Sequence, residues 1–538
     1  MVFATNKQRL NVAASRLIWS VGFEWIPQAI ASVEHEFDER IDQVVTASGL
    51  GTMLASPRAG RRVIEIVTAR AVVEAPDLAI WGIVGSEELS EETLGHALGA
   101  AQRELGRWRA TRPSPLIRDA NLPYTQVCAF TGRPAVGVVS EGTAKARTYY
   151  PASAGIERLW ADSSKARRAL VTRLHAAVDT DAERAVIDRA VVSKADLERG
   201  DGVANNGWIA VLHADGNGIG DIFTHLRHCF PGQELVHRLG QVSALLERCA
   251  WQAVARAIVA TDDPGKPGWV LPILVGGDDI TVVLNARFAF EYTASLARAF
   301  EALVNEEPIT DALAWIREYQ DDWKVEVTAP QRVTLAAGLV YAKPHHPFSH
   351  SVVLADELAG SAKTIKRSEV SAVDVHVLHE SAVRELSAIR DGLQVPDEYG
   401  ATLDLWAGPI VLSDAAPASL AGRHLDHVHE AIALLRVSDP GGEGSGTAIP
   451  GGVVHDLREA LTSSTHGATV RLTQVGERAK AVAHGRGYAP ALDKLLDRHL
   501  VCSAAAGGAD GGGRFSRLVT AMDLVDVATG TDAGNVDD

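Results

Sequence analysis

The chain has 538 residues, of which 46% are hydrophobic and 22% are charged, and its formal net charge is −16. The composition is that of a globular protein and excludes a disordered chain, while the length predicts three or four domains. The negative charge argues against a protein that coats long nucleic acid by its own field, but it is compatible with a small nucleotide held through metal ions or with RNA contacted through partner subunits.

The opening residues and the cysteines indicate the compartment. Residues 1–9 lack the apolar stretch of a signal peptide, and no run of about 18 apolar residues follows that would predict a membrane span. Four scattered cysteines contain no Cys-x-x-Cys pair, which favours reduced thiols. We therefore expect a cytoplasmic protein without a membrane partner.

Residues 1–115 read as a small α/β domain. Apolar periodicity predicts helices over 62–73 and 91–105 and a buried strand over 78–84. A proline-rich passage at 112–116 ends this domain, which carries no acidic loop of its own. Residues 116–206 read as a linker or insert, in which Cys128 by itself cannot form a structural zinc site and is interpreted as a packed thiol.

Residues 207–385 alternate between strand and helix patterns. Strands are predicted over 208–214, 270–275, 280–284, 333–341 and 372–378, with helices between them that include 235–257, 288–304 and 351–363. The βαββαβ order at the start of this series is that of a ferredoxin-like, or palm, domain. Pro272 lacks a backbone donor and predicts a bulge or an unpaired side in its strand. The fold class is therefore α+β, and residues 386–538 read as a mostly helical C-terminal domain.

An acidic loop follows the first strand of this region. The run 208–214 stops at Asp215, and Gly216, Asn217, Gly218 and Gly220 come next. Glycines at the end of a central strand allow backbone groups to approach phosphates and a cation closely. The alternative reading of Asp215, a helix N-cap or turn aspartate, stays open.

A second acidic loop lies between two apolar runs. Gly276 and Gly277 permit a tight hairpin, and Asp278 and Asp279 supply hard oxygen ligands for magnesium. An ordinary exposed turn uses the same residue types. If the two loops share one edge of one sheet, three carboxylates converge into the ligand set of a two-metal phosphoryl-transfer site.

With these motifs, the chain resembles the large polymerase-like subunit of type III CRISPR effector complexes. The resemblance rests on four pieces: His213–Gly220, Val275–Ile280, Ala337–Pro344 with Ala362–Lys363, and Ser371–Leu378. It implies a degenerate first palm (1–115), an insert with a remnant zinc-finger-like segment (116–206), an active palm (207–385) and a helical end (386–538). No His-Asp pair precedes the palm region, so the HD nuclease of many relatives is not implied, and a stand-alone relative without it is a second form of the resemblance.

The resemblance also implies an activity, the joining of ATP into cyclic oligoadenylate messengers in antiviral defence. It implies Mg²⁺ or Mn²⁺ bound by Asp215, Gly216, Asp278 and Asp279, of which the three aspartates are the catalytic residues. Nucleotide contacts are expected at Gly216, Asn217, Gly218, Gly276, Gly277 and Lys363. CRISPR subunits, guide or target RNA held through them, and a second copy of the chain are the partners left open.

Two alternatives to this activity remain open. In one, the chain is a cyclic dinucleotide synthase of a stand-alone defence system, and in the other it is a scaffold subunit that binds nucleotide without turnover. The residue after Asp279 is Ile280, which departs from the Glu-Phe ending of GGDEF-type diguanylate cyclases and favours the CRISPR-type reading.

Overall fold

The computed structural model describes most of the chain. The described residues are 3, 5–87, 89–111, 124–143, 146–199, 203, 207–319, 330–379, 384–396, 402–436, 449–462, 474, 477–478, 481, 489–503 and 514–529. In this part of the chain, no helix combines the length and the apolar character that crossing a bilayer would need.

The N-terminal region consists of a long helical stretch, a hairpin and two further helices. Its elements are α1 (Gln8–Ser20), a π-helical turn (Val21–Trp25), α2 (Ile26–Phe37), β1 (Asp42–Ala47), β2 (Leu50–Leu54), α3 (Pro57–Glu74) and α4 (Leu94–Thr111). A separate small core joins α2 and α3 through buried side chains that include Trp25, Val33 and Val63. The helices predicted over 62–73 and 91–105 are confirmed within α3 and α4.

The strand predicted over 78–84 is wrong. Residues 79–84 belong to no helix or strand, and the only strands that pair in the described part of this region are β1 and β2. A Cβ atom on Gly82 would lie 2.6 Å from the Ile64 side chain, so the segment packs on α3. Apolar residues of strand type predict an extended backbone, but a strand also needs a hydrogen-bonded neighbour, which the described residues do not provide.

The next region is a hairpin followed by helices. It contains β3 (Gly137–Thr143), β4 (Ala146–Ala152), α5 (Ala154–Ala176), α6 (Asp181–Ala190) and α7 (Lys194–Arg199). Cys128 is a free thiol and is buried, as its interpretation as a packed side chain requires. Arg167 of α5 donates from Nε to the Val192 carbonyl oxygen at 2.7 Å, which is a structural contact.

A six-stranded mixed sheet forms the centre of the molecule. Its elements in chain order are β5 (Ile209–Asn217), α8 (Ile219–Cys229), α9 (Gly232–Thr261), β6 (Val270–Gly276), β7 (Asp279–Asn285), α10 (Ala286–Val304), α11 (Ile309–Tyr319), β8 (Thr334–Ala342), α12 (Phe348–Ala362) and β9 (Ala372–Val377). The strand order is β12-β9-β8-β5-β7-β6, where β12 (Ile410–Val411) comes from the C-terminal region. The inner order β8-β5-β7-β6 is that of a ferredoxin-like fold, which confirms the predicted fold class.

Several local predictions for this sheet are also confirmed. The register of β6 against β7 shifts between Pro272 and Leu274, which is the bulge predicted from the proline. Helices α9 and α10 pack against each other, whereas α12 packs on β8, β5 and β9. Gly338 of β8 allows this last approach, because a Cβ atom there would collide with the Ala355 carbonyl oxygen of α12.

The C-terminal region is mostly helical and has its own small core. Its elements are α13 (Leu386–Gly392), β10 (Gln394–Pro396), β11 (Thr402–Asp404), a 3-10 helix (Ala418–Arg423), α14 (Leu425–Leu435), α15 (Gly451–Thr462), α16 (Ala489–His499), β13 (Cys502–Ser503), β14 (Arg514–Phe515) and α17 (Leu518–Thr529). The helices predicted near 423–435, 453–461 and 490–500 are confirmed, whereas the short sheet β10-β11-β14-β13 was not predicted. The glycine-rich stretches 439–446 and 506–513 lie outside the described residues.

Candidate active site

The structure brings the two acidic loops together. Strand β5 pairs antiparallel with β7 up to Ala214 and Ile280, so Asp215 and Asp279 are the next residues along each strand. One step further, the Gly216 amide donates to the Asp278 carbonyl oxygen at 3.2 Å. In an antiparallel pair, opposed side chains emerge on the same face of the sheet. Asp215 and Asp279 therefore lie side by side at the end of β5.

The hairpin turn has the geometry that its glycines predict. Gly277 has a φ of +64°, a backbone conformation that residues with side chains rarely adopt. Open space surrounds the position of its missing Cβ atom. Its amide donates to Glu247 Oε2 of α9 at 3.2 Å. A Cβ atom on Gly276 would lie 3.0 Å from the Cβ atom of Ser48 in the β1–β2 turn. The hairpin tip is thus held by α9 and touched by the N-terminal region.

The glycines after Asp215 allow close packing. A Cβ atom on Gly216 would lie 3.0 Å from the Cβ atom of Asp278. Gly218 has a φ of +87° and precedes α8. Between them, Asn217 donates from Nδ2 to Thr334 Oγ1 at 2.9 Å, while its Oδ1 is buried without a hydrogen-bond partner in the described part of the chain.

Lys363 follows the last residue of α12 and points at the acidic residues. Its Nζ forms an ion pair with Asp215 Oδ2. The two side chains are 37% and 27% exposed, so a ligand from solvent reaches both of them. The pair is charge-assisted and stronger than a neutral hydrogen bond. It brings a lysine that sequence reasoning placed at the triphosphate to within contact distance of the first aspartate.

The carboxylates disturb each other's ionisation. Burial and the charge of Asp215 raise the pKa of Asp278 to about 6. Burial, together with the charges of Asp215 and Asp278, raises the pKa of Asp279 to about 7, against a usual value of 3.8. The Asp279 side chain is 47% exposed overall, but its Oδ1 is buried and has no hydrogen-bond partner among the described residues. The site therefore holds more negative charge than the nearby Lys363 neutralises.

Sequence reasoning missed two side chains behind this cluster. His213 lies two residues before Asp215, on the same face of β5, and its Nδ1 is 3.6 Å from Asp279 Oδ1 and 3.2 Å from Thr281 Oγ1. On the other side of the ring, Nε2 is 3.3 Å from Asp356 Oδ1 of α12. Side chains alternate between the two faces of a strand, so the spacing of two residues from Asp215 could have identified His213 from the sequence. No local pattern connects Asp356 to the site, because it comes from a helix that is distant along the chain.

The donor set suits a divalent cation, although it is not a preformed metal cage. No three His, Cys, Asp or Glu side chains within the described ranges already form a metal-binding group. However, the buried Asp279 Oδ1 lacks a donor, and carboxylate oxygens are the ligands that Mg²⁺ prefers. Asp215 is instead neutralised by Lys363. A cation that binds Asp215 through Oδ2 therefore competes with Lys363 for that oxygen.

Comparison with protein-family models gives one match over this region. Residues 208–371 match the model described as Cas10/Cmr2, second palm domain. This segment is therefore similar to a Cas10/Cmr2 palm domain. It spans β5 to the residue before β9 and contains both acidic loops and Lys363, which confirms the resemblance to the large subunit of type III CRISPR effector complexes.

Several solved structures that are similar to this chain are described as Csm1 or as Csm1-Csm4 cassettes. A chain described as Csm1 in T. onnurineus is 15% identical, with a TM-score of 0.40 over 92% of this chain and 63% of that one. A Csm1-Csm4 cassette in complex with pppApA is 13% identical, with a TM-score of 0.43 over 98% and 67%. A cassette in complex with cA4 is 14% identical, with a TM-score of 0.37 over 70% and 52%.

These similarities are partial. The chain spans about half to two thirds of the length of the solved chains that it matches. No curated protein sequence matches it. The Cas10/Cmr2 assignment of residues 208–371 therefore rests on the family model.

Proposed function

We propose that this protein is a nucleotidyltransferase that joins ATP into cyclic oligoadenylate-type second messengers. The observation that carries the proposal is the meeting of Asp215, Asp278 and Asp279 at one end of β5 in a Cas10/Cmr2 palm domain. Three clustered carboxylates, two of them with raised pKa values, create a demand for cations that a structural turn does not have. The setting is antiviral defence of the type III CRISPR kind.

Asp215, Asp278 and Asp279, with the Gly216 carbonyl oxygen, are the ligands for two Mg²⁺ or Mn²⁺ ions. When bound, such ions lower the pKa of an attacking 3′-hydroxyl and neutralise the leaving pyrophosphate. Ionised carboxylates would be needed for this role, and Asp278 and Asp279 would hold the cations in their deprotonated form.

The other residues of the site bind and orient the nucleotide. Lys363 would bind the triphosphate through its ammonium, which in this structure pairs with Asp215. Gly277 has open space where a side chain would be, which leaves room for phosphates at the hairpin tip, whereas Ser48 occupies the corresponding space at Gly276. Asn217, in the glycine-rich loop, is the proposed contact to a ribose or phosphate oxygen.

The proposed partners are other subunits of a CRISPR complex and RNA held through them. The net charge of −16 supports a role for partner subunits in holding the RNA, because this chain lacks the positive field that would bind a long RNA by itself. Such a complex acts in the cytoplasm.

The activity is tested by incubating purified protein with ATP and MgCl₂. We expect release of pyrophosphate and formation of cyclic oligoadenylates that mass spectrometry identifies. An Asp278→Asn/Asp279→Asn variant should lose roughly 100-fold or more of this activity, as enzymes do when a preorganised electrostatic group is removed. Asp181→Asn, on an exposed carboxylate of α6, is the matched control and should retain the activity. Equal rates in the wild type and the double variant would refute the assignment.

The same assay separates the two alternatives. A mixture of ATP and GTP that yields only cyclic dinucleotides identifies a dinucleotide synthase. Calorimetric binding of ATP with no pyrophosphate release, in the presence of cognate RNA and partner subunits, identifies a scaffold. The pairing of Lys363 with Asp215 is the observation that keeps this second alternative in the test, since it neutralises one proposed metal ligand.

A further inference from the structure

The tip of the acidic hairpin lies beyond the ladder that joins its two strands. The β6–β7 ladder ends at the pair of Gly276 with Asp279. Gly277 and Asp278 therefore form the turn outside the ladder. The Gly277 amide has no partner across the strands, and it donates instead to Glu247 Oε2 of α9 at 3.2 Å. A side chain of a neighbouring helix thus holds the turn that carries Asp278.

Both oxygens of the Glu247 carboxylate accept hydrogen bonds. Oε1 accepts from Trp251 Nε1, one turn further along α9, at 3.0 Å. Oε2 accepts from the Gly277 amide, and the Trp19 side chain of α1 is a further donor to the carboxylate. A carboxylate whose two oxygens face different donors cannot rotate without breaking a hydrogen bond. Helices α1 and α9 therefore fix its orientation towards the hairpin.

A cation from a third helix faces the same carboxylate. Arg173 of α5 lies over the indole rings of Trp19 and Trp251, with its Cζ atom 3.1 Å and 5.2 Å from their centroids. Burial raises the pKa of Glu247 above its usual value, although the hydrogen bonds from Trp251 and Gly277 and the charge of Arg173 act in the opposite direction. Side chains from α1, α5 and α9 thus enclose one carboxylate, and this carboxylate contacts the tip of the acidic hairpin.

The turn depends on this contact because little else restrains Gly277. A Cβ atom on Gly277 would have no neighbour within 4 Å, so side-chain packing does not hold this residue, and glycine has more accessible backbone conformations than other residues. A different hydrogen bond, from the Gly216 amide to the Asp278 carbonyl oxygen, holds the second residue of the turn. Loss of the Glu247 contact would therefore leave Gly277 the less restrained of the two.

We propose that Glu247 is a positioning residue for the reaction at the acidic hairpin. By holding the Gly277 amide, its carboxylate fixes the turn and therefore the places of the two aspartates that follow, Asp278 and Asp279. This inference rests on the proposed function, in which these aspartates bind the cations. Glu247 acts through the turn and is not itself a ligand, an acid or a base in the reaction.

The proposal is tested with two variants that differ in their ability to accept a hydrogen bond. Both contain Trp251→Phe, which removes the indole donor, and Trp251→Phe alone is the reference. Glu247→Gln then keeps an amide oxygen that accepts from the Gly277 amide, whereas Glu247→Met has a similar length and no such acceptor. Both substitutions remove the charge of Glu247, so a difference between them reports the hydrogen bond.

Hydrogen–deuterium exchange of the metal-free full chain gives the first readout. The Gly277 amide is followed in overlapping peptides across residues 270–285. With Glu247→Met we expect its exchange to be about tenfold faster than in the reference, the scale of one lost hydrogen bond to a protein acceptor. With Glu247→Gln it should stay within about twofold of the reference, because the amide keeps its acceptor. This measurement needs neither nucleotide nor cation.

The rate of pyrophosphate release from ATP and MgCl₂ gives the second readout. With Glu247→Met, kcat should fall about tenfold below the reference, because a displaced turn misplaces the aspartates, and Glu247→Gln should restore most of it. In the otherwise unchanged chain, Glu247→Asp keeps the charge, but its side chain is one methylene shorter and does not reach the amide, so it should also lower kcat and speed exchange. Glu234→Met, on an exposed glutamate of α9, is the matched control and should leave both readouts unchanged.

Three results would overturn the proposal. The first is unchanged exchange of the Gly277 amide with Glu247→Met or, if that variant does not fold, with Glu247→Asp. The second is an equal loss with Glu247→Gln and Glu247→Met, which would assign the effect to the charge. The third is a loss of kcat that only follows the melting temperature, which would assign it to general stability. A wild type without product refutes the proposed function instead, and the exchange result then decides by itself whether Glu247 holds the hairpin.

Discussion

At the scale of single residues, the ion pair between Lys363 and Asp215 decides how the site responds to ligands. In this pair a lysine that would bind phosphate and an aspartate that would bind a cation satisfy each other. Under the proposed function, each incoming ligand would remove one partner, and nucleotide and cation would therefore favour each other's binding. A site in which both are needed together suits a reaction on a metal–ATP complex.

Lys363→Met tests the role of this lysine. We expect KM for ATP to rise by roughly 10-fold or more, the scale of a lost charge-assisted hydrogen bond, with a smaller effect on kcat. Lys366→Met, on an exposed lysine of the same short 3-10 helix, is the matched control. Steady-state kinetics with ATP distinguish the Lys363→Met variant from the Lys366→Met variant. An unchanged KM in Lys363→Met would remove this lysine from the nucleotide site.

The raised pKa values of Asp278 and Asp279 predict a pH-dependent stability. In the folded protein these groups keep their protons up to about pH 6 and about pH 7, whereas in the unfolded chain they lose them near pH 4. Their contribution to stability is therefore present below about pH 4 and is lost as the pH rises through about 6 to 7. In EDTA, the melting temperature of the wild type should fall more over this range than that of Asp278→Asn/Asp279→Asn.

Magnesium provides the complementary measurement. At a pH above 7, MgCl₂ should raise the melting temperature of the wild type, because a ligand that binds only the folded state stabilises it. The double variant should not respond. Parallel pH curves for the two proteins, together with equal responses to MgCl₂, would contradict the charge balance inferred for this site.

At the scale of elements, two glycines allow the effect of backbone conformation on stability to be measured separately from the effect of packing. A Cβ atom added to Gly277 in the acidic hairpin or to Gly360 in α12 would have no neighbour within 4 Å, but only Gly277 has a positive φ. Gly277→Ala should destabilise the fold by about 1 kcal/mol, because an L-residue is strained in the left-handed region. Gly360→Ala should stabilise it by about 0.5–1 kcal/mol through helix propensity.

Chemical denaturation of the two variants measures these changes directly. The opposite signs are the informative result, since both substitutions add the same methyl group. If Gly277→Ala were neutral, the hairpin tip would have to adopt a different turn from the one described. The sequence predicted this turn from the Gly-Gly pair, whereas the anchoring of Gly277 to Glu247 depends on the packing of α9.

At the scale of the whole molecule, the C-terminal region completes the palm sheet. Strand β12 pairs with β9, and Ile410 is 1% exposed. Helix α17 packs against α10 and β9 as well. Described residues of this region, among them Ile410, Leu425 and Leu524, therefore share the main core with the palm domain, whose β9 edge would be open without β12.

Removal of this region should be destabilising. A chain that ends at residue 385 should lose its cooperative thermal transition or melt well below the full chain. In the full chain, Ile410→Asp should cost at least about 2 kcal/mol, because it buries a charge without a partner. Ala418→Asp, at an exposed position, is the matched control. Cooperative unfolding of the shortened chain at the original temperature would show that the palm domain is independent of this region.

The sequence by itself determined the elements of the palm domain, the bulge at Pro272 and the identity of the three aspartates. These features are encoded locally, in hydrophobic periods and in strings of Gly and Asp that favour particular backbone conformations. The fold class followed from them because the βαββαβ order permits few sheet topologies.

Only the tertiary structure decided the partners of those residues. The contacts of Lys363 with Asp215, of Asp356 with His213 and of Ser48 with Gly276 join parts of the chain that are far apart in sequence. Residues 78–84 do not form the predicted strand for the same reason, since pairing requires a neighbour that no local pattern specifies. Periodicity describes how a segment folds on itself, whereas charge pairing and strand pairing depend on which distant segments pack beside it.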